Sequence, residues 1–115
     1  MASRIWVGWP AWCKAYGLPD PSPEFKFSKT RNYLLDCAWP NHKVGVEVQG
    51  GLRSGRKAGH FAHDSYAMRR RDMEKINLAQ AEGWRILQFE WKDINSGSAV
   101  ELIKDVLERS ADAQR

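Results

Sequence analysis

The clearest pattern in the chain is the alternation in "VGVEVQGG", residues 44 to 51, where valine occupies every second position. A period of two predicts a β-strand whose valines share one face, while Glu47 and Gln49 share the other. The preceding run "NYLLDCAW", residues 32 to 39, is apolar on both faces except at Asp36 and therefore predicts a central strand. Each of these two neighbouring strands carries a single acidic residue.

Two further strands and two helices complete the predicted order. The runs "EFKF" at 24 to 27 and "WRILQFEW" at 84 to 91 have the aromatic and branched content of strands. Residues 64 to 82 have helical composition and end at Gly83, and residues 100 to 107 carry the apolar stripe of a closing helix. Short connections predict that the first three strands are antiparallel, and the strand after the long helix can return parallel to the third. The order β-β-β-α-β-α describes an α/β fold with a mixed sheet flanked by helices.

A proline-rich breaker, "GLPDPSP" at residues 17 to 23, divides the chain. It predicts an aromatic and basic N-terminal arm at 1–23, a main domain at 24–110 and a short C-terminal tail at 111–115. Tryptophan recurs at positions 6, 9 and 12, but Pro10 argues against one continuous helix through them. We expect the arm to pack onto the domain or onto a second subunit, with base stacking as the alternative.

Composition is that of an ordinary folded domain. The chain has 115 residues, of which 43% are hydrophobic and 28% charged, which fits one domain with a modest core. Cys13 and Cys37 form no short-spaced pair with each other or with a histidine, which argues against a zinc site and favours a reducing cytoplasm. No uninterrupted apolar run reaches the roughly 18 residues of a membrane span, and the start lacks a cleavable apolar stretch. We expect no membrane association.

Basic residues outnumber acidic ones, which favours a polyanionic partner. Eighteen Lys and Arg stand against fourteen Asp and Glu, a net charge of +4. Several of the basic residues lie among glycines in a predicted flexible loop that begins at Gly50 and ends at Gly59. Such residues would neutralise phosphates without reading base sequence, and binding would depend steeply on salt. The loop residues concerned are Arg53, Arg56 and Lys57, with His60 directly after them.

The two isolated acids are the chief candidates for chemistry. Burying Asp36 and Glu47 on adjacent strands costs several kcal/mol unless something positive compensates, and neither strand places a Lys or Arg to do so. A divalent cation would compensate, since Mg²⁺ is commonly held by one or two carboxylates together with waters and phosphate oxygens. In the alternative, Asp36 caps a turn or pairs with Arg31 or Arg85, and Glu47 pairs with a loop arginine.

The long helix is predicted to bring polar groups toward these acids. At 3.6 residues per turn, one face contains Tyr66, Arg69, Met73, Ile76, Asn77 and Gln80. If the apolar members face the core, Arg69 and Asn77 do so as well, and they then need partners such as carboxylates or phosphate oxygens. Arg70 and Lys75 are expected to point into solvent. In the alternative, Arg69 bonds one of the acids internally or extends out to water.

A lone Asp in one strand followed by "EVQ" in the next resembles the PD-(D/E)xK nuclease superfamily, whose signature is an acid, then an acid, any residue and usually lysine on adjacent strands. Asp36 matches the first acid, Glu47 the second and Gln49 the lysine position. The runs "NYLLDCAWPNHKVGVEVQGG" and "RRDMEKINLAQAEGWRILQFEW" look similar to small phage endonucleases related to archaeal-type Holliday junction resolvases and, more distantly, to very short patch repair endonucleases. The resemblance covers residues 24 to 107.

This resemblance implies a restriction-endonuclease-like fold and hydrolysis of DNA phosphodiesters with Mg²⁺ or Mn²⁺. It also implies a homodimer that acts on four-way junctions, in the host cytoplasm if the protein is phage-encoded. Asp36, Glu47 and the backbone carbonyl of Val48 would hold the metal, and Gln49 would orient the attacking water. Glu24 matches an extra acid that several members carry on an early element.

One position departs from the signature, because Gln49 cannot supply the positive charge of a lysine. Lys75, Arg69 and His60 are the candidates to supply it instead. Two other functions stay open: a mismatch or site-specific nicking endonuclease, and a DNA-binding module of the same fold that has lost hydrolysis. The residues expected to contact nucleic acid are Arg53, Arg56, Lys57, His60, Arg69, Arg70, Lys75 and Asn77.

Overall fold

The computed structural model describes residues 9–49 and 65–113, which form an α/β fold with a four-stranded mixed sheet flanked by helices. The strands are β1 (Ser22–Lys26), β2 (Leu34–Trp39), β3 (Val44–Val48) and β4 (Arg85–Phe89). The helices are α1 (Trp9–Ala15), α2 (Ser65–Ala81), α3 (Trp91–Ser96) and α4 (Ser98–Ala113). None of these four helices has the length and apolar character needed to cross a bilayer.

The sheet has the predicted topology. Its strand order is β1-β2-β3-β4, in which β2 pairs antiparallel with β1 and β3, and β4 runs parallel to β3. In this register Val46 of β3 lies between Cys37 of β2 and Leu87 of β4. The parallel return of β4 after the long α2 confirms the connection expected from the length of that helix.

The two faces of the sheet bury different clusters. The valines of β3 lie on one face, in the larger cluster with residues of α1, α3 and α4: Trp9, Cys13, Ile94, Ala99, Val100, Ile103 and Leu107. On the other face, Ala79 of α2 packs with Leu35, Ala38 and Trp84 in a smaller cluster. The sheet therefore lies between α2 on one side and the remaining helices on the other.

Gly45, within the alternating run of β3, leaves room for the side chains of Leu35 and Ile86 to pack over the β3 backbone. A Cβ atom at this position would lie 2.6 Å from Cδ1 of Leu35 and 3.1 Å from Cδ1 of Ile86. Both side chains belong to the smaller cluster beneath α2. The glycine thus lets this face of β3 pack closely, one alternate position away from Glu47.

The described part of the N-terminal arm, from residue 9 onward, packs onto the body of the domain, as expected. Trp9 and Cys13 are each 1% exposed and belong to the larger core cluster, and Trp12 packs against it. The expectation that Pro10 argues against one continuous helix through Trp6, Trp9 and Trp12 stays a prediction, because the described helix begins at Trp9. Pro10 lies in the first turn of α1 as described, where a backbone N–H has no acceptor within the helix and proline is tolerated. Trp6 lies outside the described residues.

The predicted inward face of α2 was wrong. Tyr66 and Met73 are 68% and 56% exposed. Arg69, Asn77 and Gln80 are exposed as well. Of the predicted face only Ile76 is half-buried, and the other half-buried or buried residues in this half of the helix are Lys75, Leu78 and Ala79. Apolar and polar residues are spread almost evenly around this helix, so periodicity gave no reliable direction, and the orientation follows from the small Ala79 and from an ion pair of Lys75.

Helix α3 was missed because "WRILQFEW" was read as a strand up to residue 91, whereas β4 ends at Phe89. A capping box begins the helix: the Glu90 side chain accepts from the backbone of Asp93, whose Oδ2 accepts the backbone N–H of Glu90 at 3.0 Å. Gly97 ends it with a φ of 86°, which allows α4 to start at once in a new direction.

Candidate active site

The candidate site lies where the ladder between β2 and β3 gives way to side-chain contacts. Backbone pairing covers Cys37–Trp39 with Val44–Val46, and the same register places Asp36 opposite Glu47. Here the backbone N–H of Val48 donates to Oδ2 of Asp36 at 2.7 Å, and the backbone N–H of Asp36 donates to Oε2 of Glu47 at 3.3 Å. Each acid thus accepts a hydrogen bond from the opposite strand, and the two carboxyl groups converge.

Burial and mutual repulsion make it unfavourable for both carboxyl groups of this pair to be ionised. Burial, followed by the neighbouring Glu47 carboxylate, raises the pKa of Asp36 to about 8, against the lowering effects of the Val48 N–H and of Lys75. Glu47 is only 6% exposed. A buried carboxylate beside another favours either a bound proton or a cation. The two acids predicted from their isolation in apolar strands do therefore meet.

Among residues 9–49 and 65–113, the cation that contacts this pair is Lys75, which was expected to be solvated, whereas the loop arginines predicted as alternative partners of Glu47 lie outside those ranges. The Lys75 ammonium group contacts Oε1 of Glu47 and donates to the backbone carbonyl of Leu34 at 3.1 Å. The side chains of Lys75 and Glu47 are 17% and 8% exposed. Neither Arg31 nor Arg85 takes this place: the former contacts Tyr33 and Glu74, and the latter is exposed. Two carboxylates and one ammonium leave one negative charge when both acids are ionised.

Two glutamines lie at the same edge of the sheet. Gln49 is exposed, and its Nε2 donates to Oε1 of Gln88 at 2.5 Å. The parallel register places Gln88 beside Glu47. Gln88 was not among the predicted site residues, although the parallel alignment of "RILQF" with "VGVEV" would have identified it once that register was known.

Other predicted site residues are exposed or lie outside the described residues. Glu24 lies exposed on β1 with a φ of 47°, and the register that pairs Pro23 with Cys37 and Phe25 with Leu35 sets it across from Asp36. Within residues 9–49 and 65–113, however, no group of three or more His, Cys, Asp or Glu side chains is arranged to hold a metal. Arg69, Arg70 and Asn77 are exposed on α2, and Arg70 pairs with Glu74 at 3.7 Å. The predicted phosphate-binding residues Arg53, Arg56, Lys57 and His60 lie outside the described residues.

The donor set at the pair is compatible with a hard divalent cation. Mg²⁺ and Mn²⁺ prefer oxygen ligands, and the carboxyl groups of Asp36 and Glu47 supply oxygen atoms at this point of the sheet. The observation that supports the fit is geometric: the carboxyl groups of Asp36 and Glu47 converge where the β2–β3 ladder ends.

Comparison with known proteins returned no relative. No protein-family model, curated protein or solved structure matches this chain. A functional assignment therefore depends on the geometry around Asp36, Glu47 and Lys75, together with the motif resemblance in the sequence.

The raised pKa of Asp36 predicts that the free energy of unfolding falls as the pH rises from about 4 to about 8. An unfolded aspartate ionises near pH 3.9, while folded Asp36 ionises at about 8. Between these values the folded state holds a proton that the unfolded state has released. The stabilisation is therefore complete below the unfolded pKa and is lost by up to about 1.4 kcal/mol per pH unit until the folded pKa is passed.

Urea unfolding at several pH values in this range measures the effect, with Asp36→Asn as the comparison. The asparagine keeps an acceptor for the Val48 N–H but does not titrate, so its curve should be flatter than that of the wild type. Parallel curves for the two proteins would show that Asp36 ionises normally.

Proposed function

We propose that the protein is a metal-dependent DNA endonuclease with a PD-(D/E)xK-type site. The observation that carries this proposal is the convergence of Asp36 and Glu47 from neighbouring strands, with Lys75 in contact with Glu47. Two acids and one lysine are the residue types of the signature. The mixed sheet, with three antiparallel strands and a parallel fourth, supports a restriction-endonuclease-like core.

Lys75 supplies the positive charge that the signature places at the position of Gln49. The usual lysine would lie two residues after Glu47 on the same strand, whereas here an ammonium group reaches Glu47 from α2. Beside the acids, this ammonium is positioned to attract the non-bridging oxygens of a phosphodiester and to stabilise negative charge that develops on them. Lys75, a residue distant in sequence, thus takes the place of the lysine that is missing at position 49.

Asp36, Glu47 and the backbone carbonyl of Val48 would hold Mg²⁺ or Mn²⁺. When bound, such an ion lowers the pKa of a coordinated water and neutralises charge on the phosphate. Gln49 lies at the edge of the same site, and its amide is held by Gln88. With its nitrogen engaged there, the carbonyl oxygen of Gln49 is the group that would accept a hydrogen bond from the attacking water.

Positive charge on α2 supports DNA as the substrate. Arg69, Arg70 and Arg71 are consecutive and exposed on the helix that also carries Lys75. Their attraction to phosphates would provide affinity that falls with salt. Selectivity for four-way junctions and action as a homodimer follow from the motif resemblance, because paired incisions require two active sites in one particle.

One observation favours a second candidate, a DNA-binding module that does not cut. Lys75 and two backbone N–H groups give Asp36 and Glu47 partners within the protein. Such contacts would hold β2 and β3 together with no ion bound. In this reading the acids are structural, and the basic residues of α2 bind DNA without hydrolysis.

A cleavage assay separates these functions. The purified protein is incubated with a synthetic four-way junction, a mismatched duplex and a fully paired duplex, each with Mg²⁺, Mn²⁺ or EDTA. We expect symmetric nicks in the junction that require the metal. Cutting confined to the mismatched or a sequence-specific duplex would instead indicate a nicking endonuclease, and gel retardation without cutting in any metal would contradict the nuclease proposal.

A further inference from the structure

A basic pocket is formed by the two segments that also supply Leu34 and Lys75 to the candidate active site. It has a volume of about 370 Å³ and is lined by Arg31, Asn32, Tyr33, Arg71 and Glu74. It lies between the segment that leads into β2 and the middle of α2. Tyr33 immediately precedes Leu34, whose carbonyl accepts the hydrogen bond from Lys75, and Glu74 immediately precedes Lys75. The pocket and the candidate active site therefore share both supporting segments.

Arg31 is held in place at the mouth of this pocket. Its guanidinium lies over the ring of Tyr33, 5.5 Å from the centroid, and its NH2 donates to the Tyr33 hydroxyl at 3.4 Å. Glu74 lies 3.8 Å from Arg31 and accepts a 3.4 Å hydrogen bond from the same hydroxyl. Arg31 nevertheless remains 57% exposed, so its remaining donors face solvent.

The charge of the pocket is positive. Glu74 is shared between Arg31 and Arg70, at 3.8 Å and 3.7 Å, so one carboxylate orients two guanidinium groups without neutralising both. Arg71 and Asn32 line the pocket, and no described residue forms an ion pair or hydrogen bond with either side chain. Among the lining residues, two arginines against one glutamate leave a net charge of +1.

We propose that this pocket binds a phosphate group of the DNA strand that is cut, next to the bond held at Asp36 and Glu47. The inference rests on the proposed nuclease function and adds a subsite to it. Guanidinium groups match phosphate oxygens in geometry and charge, and the Asn32 amide adds a neutral donor. The volume exceeds that of a bare phosphate, so part of the attached sugar is accommodated as well. Because it is a second contact on the same DNA backbone, the pocket fixes which phosphodiester of that DNA strand lies at the two acids.

The test compares two double variants that lose the same charge. Arg31→Ala with Arg71→Ala removes both arginines of the pocket. Arg85→Ala with Arg109→Ala is the matched control, because Arg85 pairs with Val44 at the far end of β4 from Gln88 and Arg109 pairs with Asp105 on α4. Circular dichroism and thermal melts establish that both variants are folded. DNA affinity is measured by fluorescence anisotropy in EDTA over a range of NaCl concentrations, with labelled junction and duplex.

We expect the pocket variant to bind DNA more weakly than the control, with a slope of log K against log salt that is shallower by about 0.9 on duplex DNA. This value corresponds to the loss of the one phosphate that the pocket binds. Equal slopes in the two double variants would overturn the subsite. Inorganic phosphate, added at constant ionic strength, distinguishes free phosphate from DNA: if it stabilises the wild type but not the pocket variant while the DNA slopes stay equal, the pocket takes free phosphate and the DNA assignment is wrong.

The subsite and the nuclease proposal fail separately. Normal cleavage by the pocket variant, with slopes like those of the control, removes the subsite and leaves the nuclease. A wild type that cuts no DNA in any metal, but whose salt slope depends on Arg31 and Arg71, removes the nuclease and leaves a DNA-phosphate contact at the pocket.

Discussion

Replacing Asp36 with asparagine is expected to abolish metal-dependent DNA cleavage while leaving the protein folded. The amide oxygen can still accept the 2.7 Å hydrogen bond from the Val48 N–H, but the charge that would hold a cation is gone. Residues that merely support metal ligands commonly contribute ten- to a hundredfold, so loss of a direct ligand should reduce the cleavage rate by more than about a hundredfold. Thermal stability near neutral pH should be unchanged or higher, because a carboxyl group whose pKa is raised by burial and by Glu47 has been removed.

Single-turnover cleavage of the junction and a thermal melt measure the two parts of this prediction. Glu108→Gln, an exposed position on α4, is a control that removes the same charge away from the site. DNA binding in EDTA should be retained by both variants. If Asp36→Asn cuts as fast as Glu108→Gln with Mg²⁺, then Asp36 is not a metal ligand.

Replacing Lys75 with methionine is expected to destabilise the fold by about 2–3 kcal/mol at neutral pH and to abolish cleavage. Breaking a buried ion pair from one side costs about 3–5 kcal/mol, and the partial exposure of Lys75, at 17%, places this case at or below the lower end. The cost arises because Glu47 is left buried beside Asp36 with no positive partner. Adding Glu47→Gln should therefore restore most of the stability of the methionine variant without restoring cleavage.

Urea denaturation of the single and double variants measures the coupling between the two residues. Lys104→Met, at an exposed position on α4, controls for the change of lysine to methionine. If Lys75→Met is as stable as Lys104→Met, the ammonium does not compensate Glu47 in solution, and the role assigned to Lys75 is lost with it.

The sheet could be predicted from the sequence because its signals are local. Alternation in "VGVEVQGG" and the apolar run around Asp36 identify two strands, and short connections make neighbouring strands antiparallel. The same reasoning predicted that Asp36 and Glu47 lie close together, since single acids on neighbouring strands of a sheet can be adjacent. The alternation does not predict which backbone N–H groups donate hydrogen bonds to the two carboxylates beyond the end of the β2–β3 ladder.

The orientation of α2 could not be predicted, because it depends on contacts between distant parts of the chain. Apolar residues are spread almost evenly around this helix, so their spacing does not identify the buried face. Tyr66 and Met73 were expected to be buried and are exposed. Lys75 turns inward because Glu47 is there to receive it, which is information held by β3 and not by the helix. Gln88 could be identified as a site residue only from the parallel register of β3 and β4. Helix α3, by contrast, has a local sequence signal, the capping box of Glu90 and Asp93.

The central claim is that one divalent cation binds between Asp36 and Glu47. Titration of Mn²⁺ into the DNA-free protein, followed by calorimetry and by electron paramagnetic resonance, tests it without reference to cleavage. We predict one specific ion per chain in the wild type and loss of that ion in both Asp36→Asn and Glu47→Gln. Binding of Mn²⁺ with the same stoichiometry and affinity in all three proteins would contradict the account.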